Sequence, residues 1–323
     1  MNDHKEYRDT VVICSAADDP YALPLCVSLK SVLLHLGKDC YARMYVFDGG
    51  ISEKNKHKIE SSIVSEKSQL IWLPAKLDLF EDFPRNKHVS LMTYTKMMIP
   101  EMLRDESRVI WLDSDMIVLK NLQTLWHTDL HSHALAAVQD AVLCQIKNVF
   151  KNYPELEIDP NAPIFNAGLM LMDLKKLRDT DFQKQAFEFI KKYKNLIRYH
   201  EQDAFNALLV NAWEKLDPSW NQMLHRAVFP TRWKKNFSDD GAFKRAMNDP
   251  FIVHFVGPNK PWHSDCNHLW KEDFFQVLDQ TAWKGWRPEA VWKTQLKQRH
   301  PKIYQQLQSV RRVLRSLESS TKH

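Results

Sequence analysis

The stretch R-V-I-W-L-D-S-D-M-I-V-L-K, residues 108–120, places two carboxylates between two runs of apolar residues. The runs, residues 109–112 and 116–119, are typical of strand that is buried on both faces of a parallel sheet. A carboxylate in such surroundings is strongly disfavoured unless a counter-charge or a metal ion compensates it. Asp113 and Asp115 therefore predict either a cation-binding site or a salt-bridged turn at the end of this strand.

The spacing of Asp113 and Asp115 would place both side chains on one side of an extended backbone, within reach of one cation. Carboxylate oxygens in this arrangement suit Mg²⁺ or Mn²⁺. The same spacing recurs at Asp179 and Asp181, where a polar context favours a helix cap instead. Because the two pairs share their spacing, it is the apolar surroundings that favour metal binding at the first pair.

A second group of polar residues follows the apolar run F-I-V-H-F, residues 251–255. His254 alone would more often be a hydrogen-bonded core residue, and Lys260 alone a solvated loop charge. Together, at the end of another predicted strand, they fit a site that holds a metal ion and a diphosphate.

Strand-like and helix-like patterns alternate through the first half of the chain, which predicts β-α-β units and a mainly parallel sheet. Strands are predicted at residues 10–16, 42–47, 70–73, 109–112, 135–138, 164–173 and 251–255. Such sheets bind ligands beyond the carboxyl ends of their strands, where Asp113 and Asp115 would lie.

The composition indicates a globular, mildly basic chain. Its 323 residues are 44% hydrophobic and 26% charged, with a net charge of +5 and five scattered cysteines. The cysteine spacing favours a reducing compartment, and we find no signal peptide or membrane-spanning run. Dinucleotide and P-loop glycine motifs are absent, and nothing points to a nucleic-acid partner. We therefore expect a cytoplasmic protein.

Five blocks in one order carry a resemblance to a known family. They are A-A-D-D-P-Y (16–21), W-L-D-S-D (111–115), F-N-A-G-L-M-L-M-D-L (165–174), H-E-Q-D-A-F-N (200–206) and H-F-V-G-P-N-K-P-W-H (254–263). Over residues 11–270 the chain resembles glycosyltransferase family 8, in particular bacterial lipooligosaccharide galactosyltransferases and lipopolysaccharide glucosyl- or galactosyltransferases. The resemblance implies an α/β protein with the GT-A fold, a single nucleotide-diphospho-sugar transferase domain.

The resemblance also implies roles for individual residues. The metal ligands would be Asp113, Asp115 and His254. The nucleotide contacts would be Ala16, Asp18, Tyr21, Lys96, Ser114, Gly257 and Lys260. The donor-sugar contacts would be Asp140, Asn166 and Glu201. Gln202 would lie near the reacting face of the sugar, with Asp203 as the alternative nucleophile.

The implied activity is retaining transfer of galactose or glucose from a UDP-sugar to a hydroxyl of a glycan or glycolipid, with Mn²⁺ or alternatively Mg²⁺. Because Gln202 is a neutral amide, we favour front-side attack assisted by the departing phosphate over a covalent intermediate. A metal-dependent nucleotidyltransferase or phosphoester hydrolase, and a non-catalytic sugar-nucleotide-binding protein, are the alternatives.

Three positions depart from the pattern of close relatives. Pro20 stands where asparagine is frequent, Lys96 where arginine is frequent, and Glu201 where aspartate is usual. Lysine offers a point charge in place of a bidentate fork, and glutamate adds a methylene to the sugar pocket. These departures leave the choice of donor sugar open.

The end of the chain is basic. We divide the chain into a GT-A domain, residues 1–270, and a basic helical C-terminal region, residues 271–323. An apolar stripe recurs there at helical spacing, namely Ile303, Leu307, Val310, Leu314 and Leu317. The pattern favours peripheral binding of this region to the anionic inner face of a membrane. The alternative is that the helix packs on the GT-A domain.

Overall fold

The structure is a computed structural model that describes residue 7 and residues 9–85, 90–151, 154–223 and 240–289. Its strands are β1 Asp9–Ala17, β2 Cys40–Asp48, β3 Ser68–Pro74, β4 Arg108–Leu112, β5 Met116–Val118, β6 Leu135–Gln139, β7 Phe165–Asp173, β8 Trp213–Lys215 and β9 Ile252–His254. Its α-helices are α1 Ala22–Leu34, α2 Glu53–Ile63, α3 Ile99–Met102, α4 Gln123–Trp126, α5 Leu174–Asp179, α6 Phe182–Lys192, α7 Glu201–Leu208, α8 Asp240–Asn248 and α9 Lys271–Leu278. Short 3₁₀ helices include Asp19–Tyr21, Leu91–Met98 and Pro218–Asn221.

Seven strands form one sheet in the order β3-β2-β1-β4-β7-β6-β8. Strand β7 runs antiparallel to both of its neighbours, and the other pairs in the sheet are parallel. The predicted mainly parallel sheet is therefore confirmed. Because β7 is reversed, its first residues lie at the same edge as the carboxyl ends of β4 and β6.

Both faces of the sheet are covered by apolar side chains. Alternate residues of β1 belong to two separate cores, with Val11 and Ile13 in one and Val12 and Cys14 in the other. This two-sided burial explains why the strands read as continuous apolar runs. The five cysteines all lie in the described residues, are buried, and form no disulfide.

A second sheet of two strands, β5 and β9, supports the acidic pair. The strands are antiparallel, with Met116 opposite His254, and the backbone N–H of Phe255 donates to the carbonyl of Asp115 at 2.9 Å. The loop between β4 and β5 therefore lies beside the end of β9, which brings Asp115 close to His254.

The described part of the C-terminal region, residues 271–289, packs on the domain. Phe274 and Leu278 of α9, and Trp283 after it, are buried in the same core as Ile13. Residues 290–323, which include the whole apolar stripe and most of the basic residues of this region, lie outside the described residues, so the division into two parts stays a prediction. No helix in the described ranges is both long and apolar enough to cross a bilayer.

Candidate active site

A cleft of about 670 Å³ lies at the carboxyl ends of β1 and β4. Both aspartates of the acidic pair line it. The seven residues expected to contact a nucleotide also line it, namely Ala16, Asp18, Tyr21, Lys96, Ser114, Gly257 and Lys260. Residues from four separate segments of the chain thus meet in one cavity.

Asp113, Asp115 and His254 converge at the edge of this cleft. Ligand atoms of the three side chains lie within 4.8 Å of one another. Nε2 of His254 is 3.1 Å from Oδ1 of Asp115 and 3.8 Å from Oδ2 of Asp113. Two carboxylate oxygens and one imidazole nitrogen form a donor set that fits a divalent metal ion.

The local geometry of the acidic pair differs from the one expected. Asp113 follows the last residue of β4, and Ser114 and Asp115 form a turn before β5. The two carboxylates therefore converge through a turn and not through an extended backbone.

The second D-x-D is unrelated to the cleft: Asp179 forms an exposed pair with Lys175 at 2.5 Å. Asp181 makes no capping hydrogen bond, because its φ of 51° is left-handed.

The Asp113 carboxylate is held by two donors. Oδ1 accepts hydrogen bonds from Nε1 of Trp111 at 2.7 Å and from Nζ of Lys96 at 3.0 Å. Burial raises the pKa of Asp113, and Lys96 opposes that shift. The side chain remains fixed with Oδ2 directed toward His254.

Asp115 is the more strongly ionised member of the pair. Nζ of Lys260 donates to its Oδ2 and to the carbonyl of Phe255. Burial alone would raise the pKa of Asp115, but the contacts around the carboxylate, led by the charge of Lys260, outweigh burial and hold that pKa well below its usual range. Lys260 thus places a cation beside the carboxylate that faces His254.

The 3₁₀ helix Leu91–Met98 joins the acidic pair to α7. Residues three apart lie on the same face of a 3₁₀ helix, so Thr93 and Lys96 point the same way. The Thr93 hydroxyl donates to Oε2 of Glu201, and Nζ of Lys96 donates to Oε1 at 2.6 Å. Burial would lower the pKa of Lys96, but Asp113 and Glu201 outweigh it and raise that pKa.

The two aspartates of A-A-D-D-P-Y have different surroundings. Asp18 lines the cleft and makes no capping hydrogen bond. Asp19 instead accepts from the backbone N–H of Ser52 at 2.7 Å and from Asn55 at 2.8 Å, which fixes the start of α2. Only Asp18 is therefore placed to contact a ligand in the cleft.

The loop after β9 also lines the cleft. Gly257 has a φ of 73°, a left-handed conformation that favours glycine, and carries the chain back toward Lys260. Trp262 packs edge-on against Tyr21, with ring centroids 5.8 Å apart, and against Phe274. Trp262 therefore supports the Tyr21 ring.

Asp140, Asn166 and Gln202 form a second polar group beside the Asp113–Asp115–His254 cluster. Nδ2 of Asn166 lies 3.4 Å from Oδ2 of Asp140 and 3.3 Å from Oε1 of Gln202. The backbone N–H of Ala167 donates to the same Gln202 oxygen at 3.0 Å. These three residues come from the end of β6, the start of β7 and α7, and none of them lines the cleft described above.

Asp203 faces the protein interior. It is 1% exposed, and its Oδ2 accepts from the backbone N–H groups of Arg198 and Tyr199 at 2.7 and 3.1 Å. Burial raises its pKa to about 6 despite these hydrogen bonds, and its Oδ1 has no partner among the described residues. Its position suits holding the loop before α7 better than attacking a sugar.

We expect Asp203→Asn to stabilise the protein near neutral pH. A carboxyl whose folded-state pKa is raised contributes stability at low pH that is lost as the pH rises through the folded pKa, here about 6. The variant lacks this loss. Its free energy of unfolding, relative to that of the wild type, should therefore increase by about 3 kcal/mol as the pH rises from about 4 to about 7. Urea denaturation at a series of pH values measures this difference.

The same variant tests the alternative role of Asp203 as a nucleophile. Asparagine keeps an oxygen for the two backbone donors, so sugar transfer should stay within about threefold of wild type if the role is structural. Loss of transfer in a variant that is at least as stable as the wild type would contradict that assignment.

Sequence reasoning missed four residues of this site. The position of Trp111 could have predicted its contact with Asp113, because it lies two residues earlier and alternate strand side chains share a face. Thr93 and Asn221 carried none, since both act across long sequence separations. Gly168 lies inside a recognised block, and a Cβ there would be 2.3 Å from Cε1 of His254, so glycine provides the space for the imidazole.

Solved structures share this architecture. The galactosyltransferase LgtC, crystallised with donor and acceptor sugar analogues, aligns with a TM-score of 0.71 and 30% identity over 86% of this chain and 98% of that chain. The bifunctional glycosyltransferase WbbM aligns with a TM-score of 0.69 and 21% identity over 86% of this chain and 51% of that one. The sheet order and the match to LgtC define a glycosyltransferase of the GT-A fold.

Sequence comparison gives the family. The profile of Glycosyl transferase family 8 matches residues 12–266. General stress protein A of Bacillus subtilis is 28% identical over 275 residues, which span 84% of this chain and 94% of that protein. Lipopolysaccharide 1,3-galactosyltransferase of Salmonella typhimurium is 23% identical over 80% of this chain and 74% of that protein. The chain belongs to glycosyltransferase family 8, which confirms the resemblance.

Proposed function

We propose that this protein is a metal-dependent, retaining hexosyltransferase that moves galactose or glucose from a UDP-sugar to a glycan hydroxyl. One observation carries the proposal: the Asp113–Asp115–His254 cluster lies at the edge of the cleft lined by the residues expected for the nucleotide. LgtC and the Salmonella relative are galactosyltransferases, which supports a hexose donor.

Asp113, Asp115 and His254 would hold the metal ion. Mn²⁺ suits this donor set, because an imidazole nitrogen joins the carboxylates, whereas Mg²⁺ prefers oxygen ligands and is the alternative. When bound, the metal ion neutralises negative charge on the diphosphate leaving group. Lys260 lines the same cleft and can donate to a phosphate oxygen.

The residue proposed at the reacting face of the sugar is a neutral amide. The Gln202 side chain is fixed by hydrogen bonds from the Ala167 N–H and from Asn166. Because it is a neutral amide, it is a poor nucleophile. We therefore favour attack by the acceptor hydroxyl on the face from which the diphosphate departs. The hydroxyl proton passes to the departing phosphate oxygen, and the anomeric configuration is retained.

Glu201 would define the donor-sugar pocket through a preformed ion pair. Its two oxygens already accept from Thr93 and Lys96, and its side chain is 4% exposed. A sugar hydroxyl can therefore reach only the lone pairs that these donors leave available. This constraint makes Glu201 and Lys96 our candidates for residues that select the donor.

A UDP-release assay tests the proposal. UDP-galactose and UDP-glucose are incubated with and without Mn²⁺, with UDP-N-acetylhexosamines as controls, and NMR of the transferred sugar reports its anomeric configuration. We expect Mn²⁺-dependent release from one of the two hexose donors. Binding of UDP-sugars without release would favour the non-catalytic alternative, and pyrophosphate release from nucleoside triphosphates would favour a nucleotidyltransferase.

The acceptor and the location of the protein belong to the same proposal. We infer a glycan or glycolipid acceptor of the lipopolysaccharide or another surface glycan type, since the Salmonella relative acts on lipopolysaccharide. Peripheral binding to an anionic membrane from the cytoplasmic side depends on residues 290–323, which lie outside the described ranges, and stays a prediction.

A further inference from the structure

Asn221 lies against the metal-ligating histidine in a segment whose backbone is fixed. It ends the 3₁₀ helix Pro218–Asn221 and is 2% exposed. The next residue, Gln222, donates its N–H to the carbonyl of Ile252 at 3.0 Å and accepts from the N–H of His254 at 2.9 Å. The segment thus runs along β9 and places the Asn221 side chain beside the imidazole.

The orientation of the Asn221 amide follows from a backbone donor. The N–H of Gly168 donates to one side-chain atom of Asn166 at 3.0 Å, so that atom must be the oxygen. The Asn221 atom 3.0 Å from the same oxygen must then be the nitrogen Nδ2. Oδ1 of Asn221 is consequently the atom that faces Nδ1 of His254, at 3.1 Å.

An amide oxygen can only accept a hydrogen bond, so Nδ1 of His254 must carry a proton. Nε2 is then the nitrogen available to a metal ion, and it is the one that faces Asp113 and Asp115. Histidine ligands in metal sites are oriented in this way by a hydrogen bond to their other nitrogen.

We propose that Asn221 is a positioning residue that fixes the tautomer and ring orientation of His254 for binding a divalent metal ion. Through Asn166 the same chain of hydrogen bonds reaches Gln202, which is anchored by the Ala167 N–H. One hydrogen-bond network therefore holds both the metal-ligating cluster and the amide proposed at the reacting face of the sugar. The inference rests on the metal site of the proposed function.

Mn²⁺ binding, measured by electron paramagnetic resonance of the free ion without any donor or acceptor, tests this role. Asn221→Leu removes the acceptor and should weaken Mn²⁺ binding about 10- to 100-fold. Asn221→Asp keeps an oxygen facing Nδ1 and should bind Mn²⁺ at least about tenfold more tightly than Asn221→Leu. Ser219→Ala is the matched control, a buried change in the same turn that leaves the Asn221 amide in place.

The wild-type protein provides a second measurement that needs no Asn221 variant. With ¹⁵N-labelled histidine, His254 should show a protonated Nδ1, and the signal should vanish in His254→Gln. An unprotonated Nδ1 overturns the proposal, as does wild-type Mn²⁺ affinity in a folded Asn221→Leu protein. Failure of the wild type to bind Mn²⁺ overturns the metal site itself, whereas unchanged binding in Asn221→Leu overturns only the role of Asn221.

Discussion

Asp115→Asn should reduce Mn²⁺-dependent UDP release by about 10³-fold or more, the scale expected when a group that stabilises transition-state charge is lost. The substitution keeps the volume of the side chain but replaces an anionic ligand by a weak neutral one. It also removes the carboxylate that Lys260 and His254 both contact. UDP release at saturating donor, together with Mn²⁺ affinity, measures the effect.

The chain supplies a matched control for this variant. Asp179→Asn changes the same residue type in the second D-x-D, where the carboxylate is 58% exposed and pairs with Lys175. We expect wild-type release from Asp179→Asn. Release by Asp115→Asn that equals this control would contradict the proposed metal site, provided that both variants unfold at the wild-type temperature.

The second large effect concerns stability. Lys96→Met should lower the free energy of unfolding by about 3–5 kcal/mol, because it leaves the carboxylates of Asp113 and Glu201 without their shared cation. The Lys96 side chain is 5% exposed, so water cannot replace the lost ammonium group easily. Urea denaturation at neutral pH and low salt measures the change.

An exposed ion pair provides the comparison for Lys96. Lys175→Met breaks the pair with Asp179, in which the lysine side chain is 73% exposed, and should cost less than about 1 kcal/mol. If Lys96→Met cost no more than Lys175→Met, the buried pair would not hold the 3₁₀ helix Leu91–Met98 against α7.

Short-range pattern was enough to predict a mainly parallel α/β sheet and to single out the acidic pair, whereas the GT-A fold was implied by the family resemblance. Continuous apolar runs indicated strands buried on both faces, and the alternation of these strands with helices predicted the mainly parallel sheet. Asp113 and Asp115 were identified because charge within apolar sequence requires a partner. Five ordered blocks then gave the family, which the profile match confirms.

Only the tertiary structure decided how these residues are paired. Lys96 and Glu201 depart from the family pattern at two separate positions in the sequence, yet they form one ion pair at 2.6 Å. The glutamate, one methylene longer than the usual aspartate, reaches the lysine that replaces the frequent arginine. Asp203 is adjacent to Gln202 in sequence but binds the loop before α7. The Asn221–His254 hydrogen bond joins residues 33 apart. Such contacts depend on how distant strand ends and helices are brought together, so local sequence pattern reveals the residue types and not their partners.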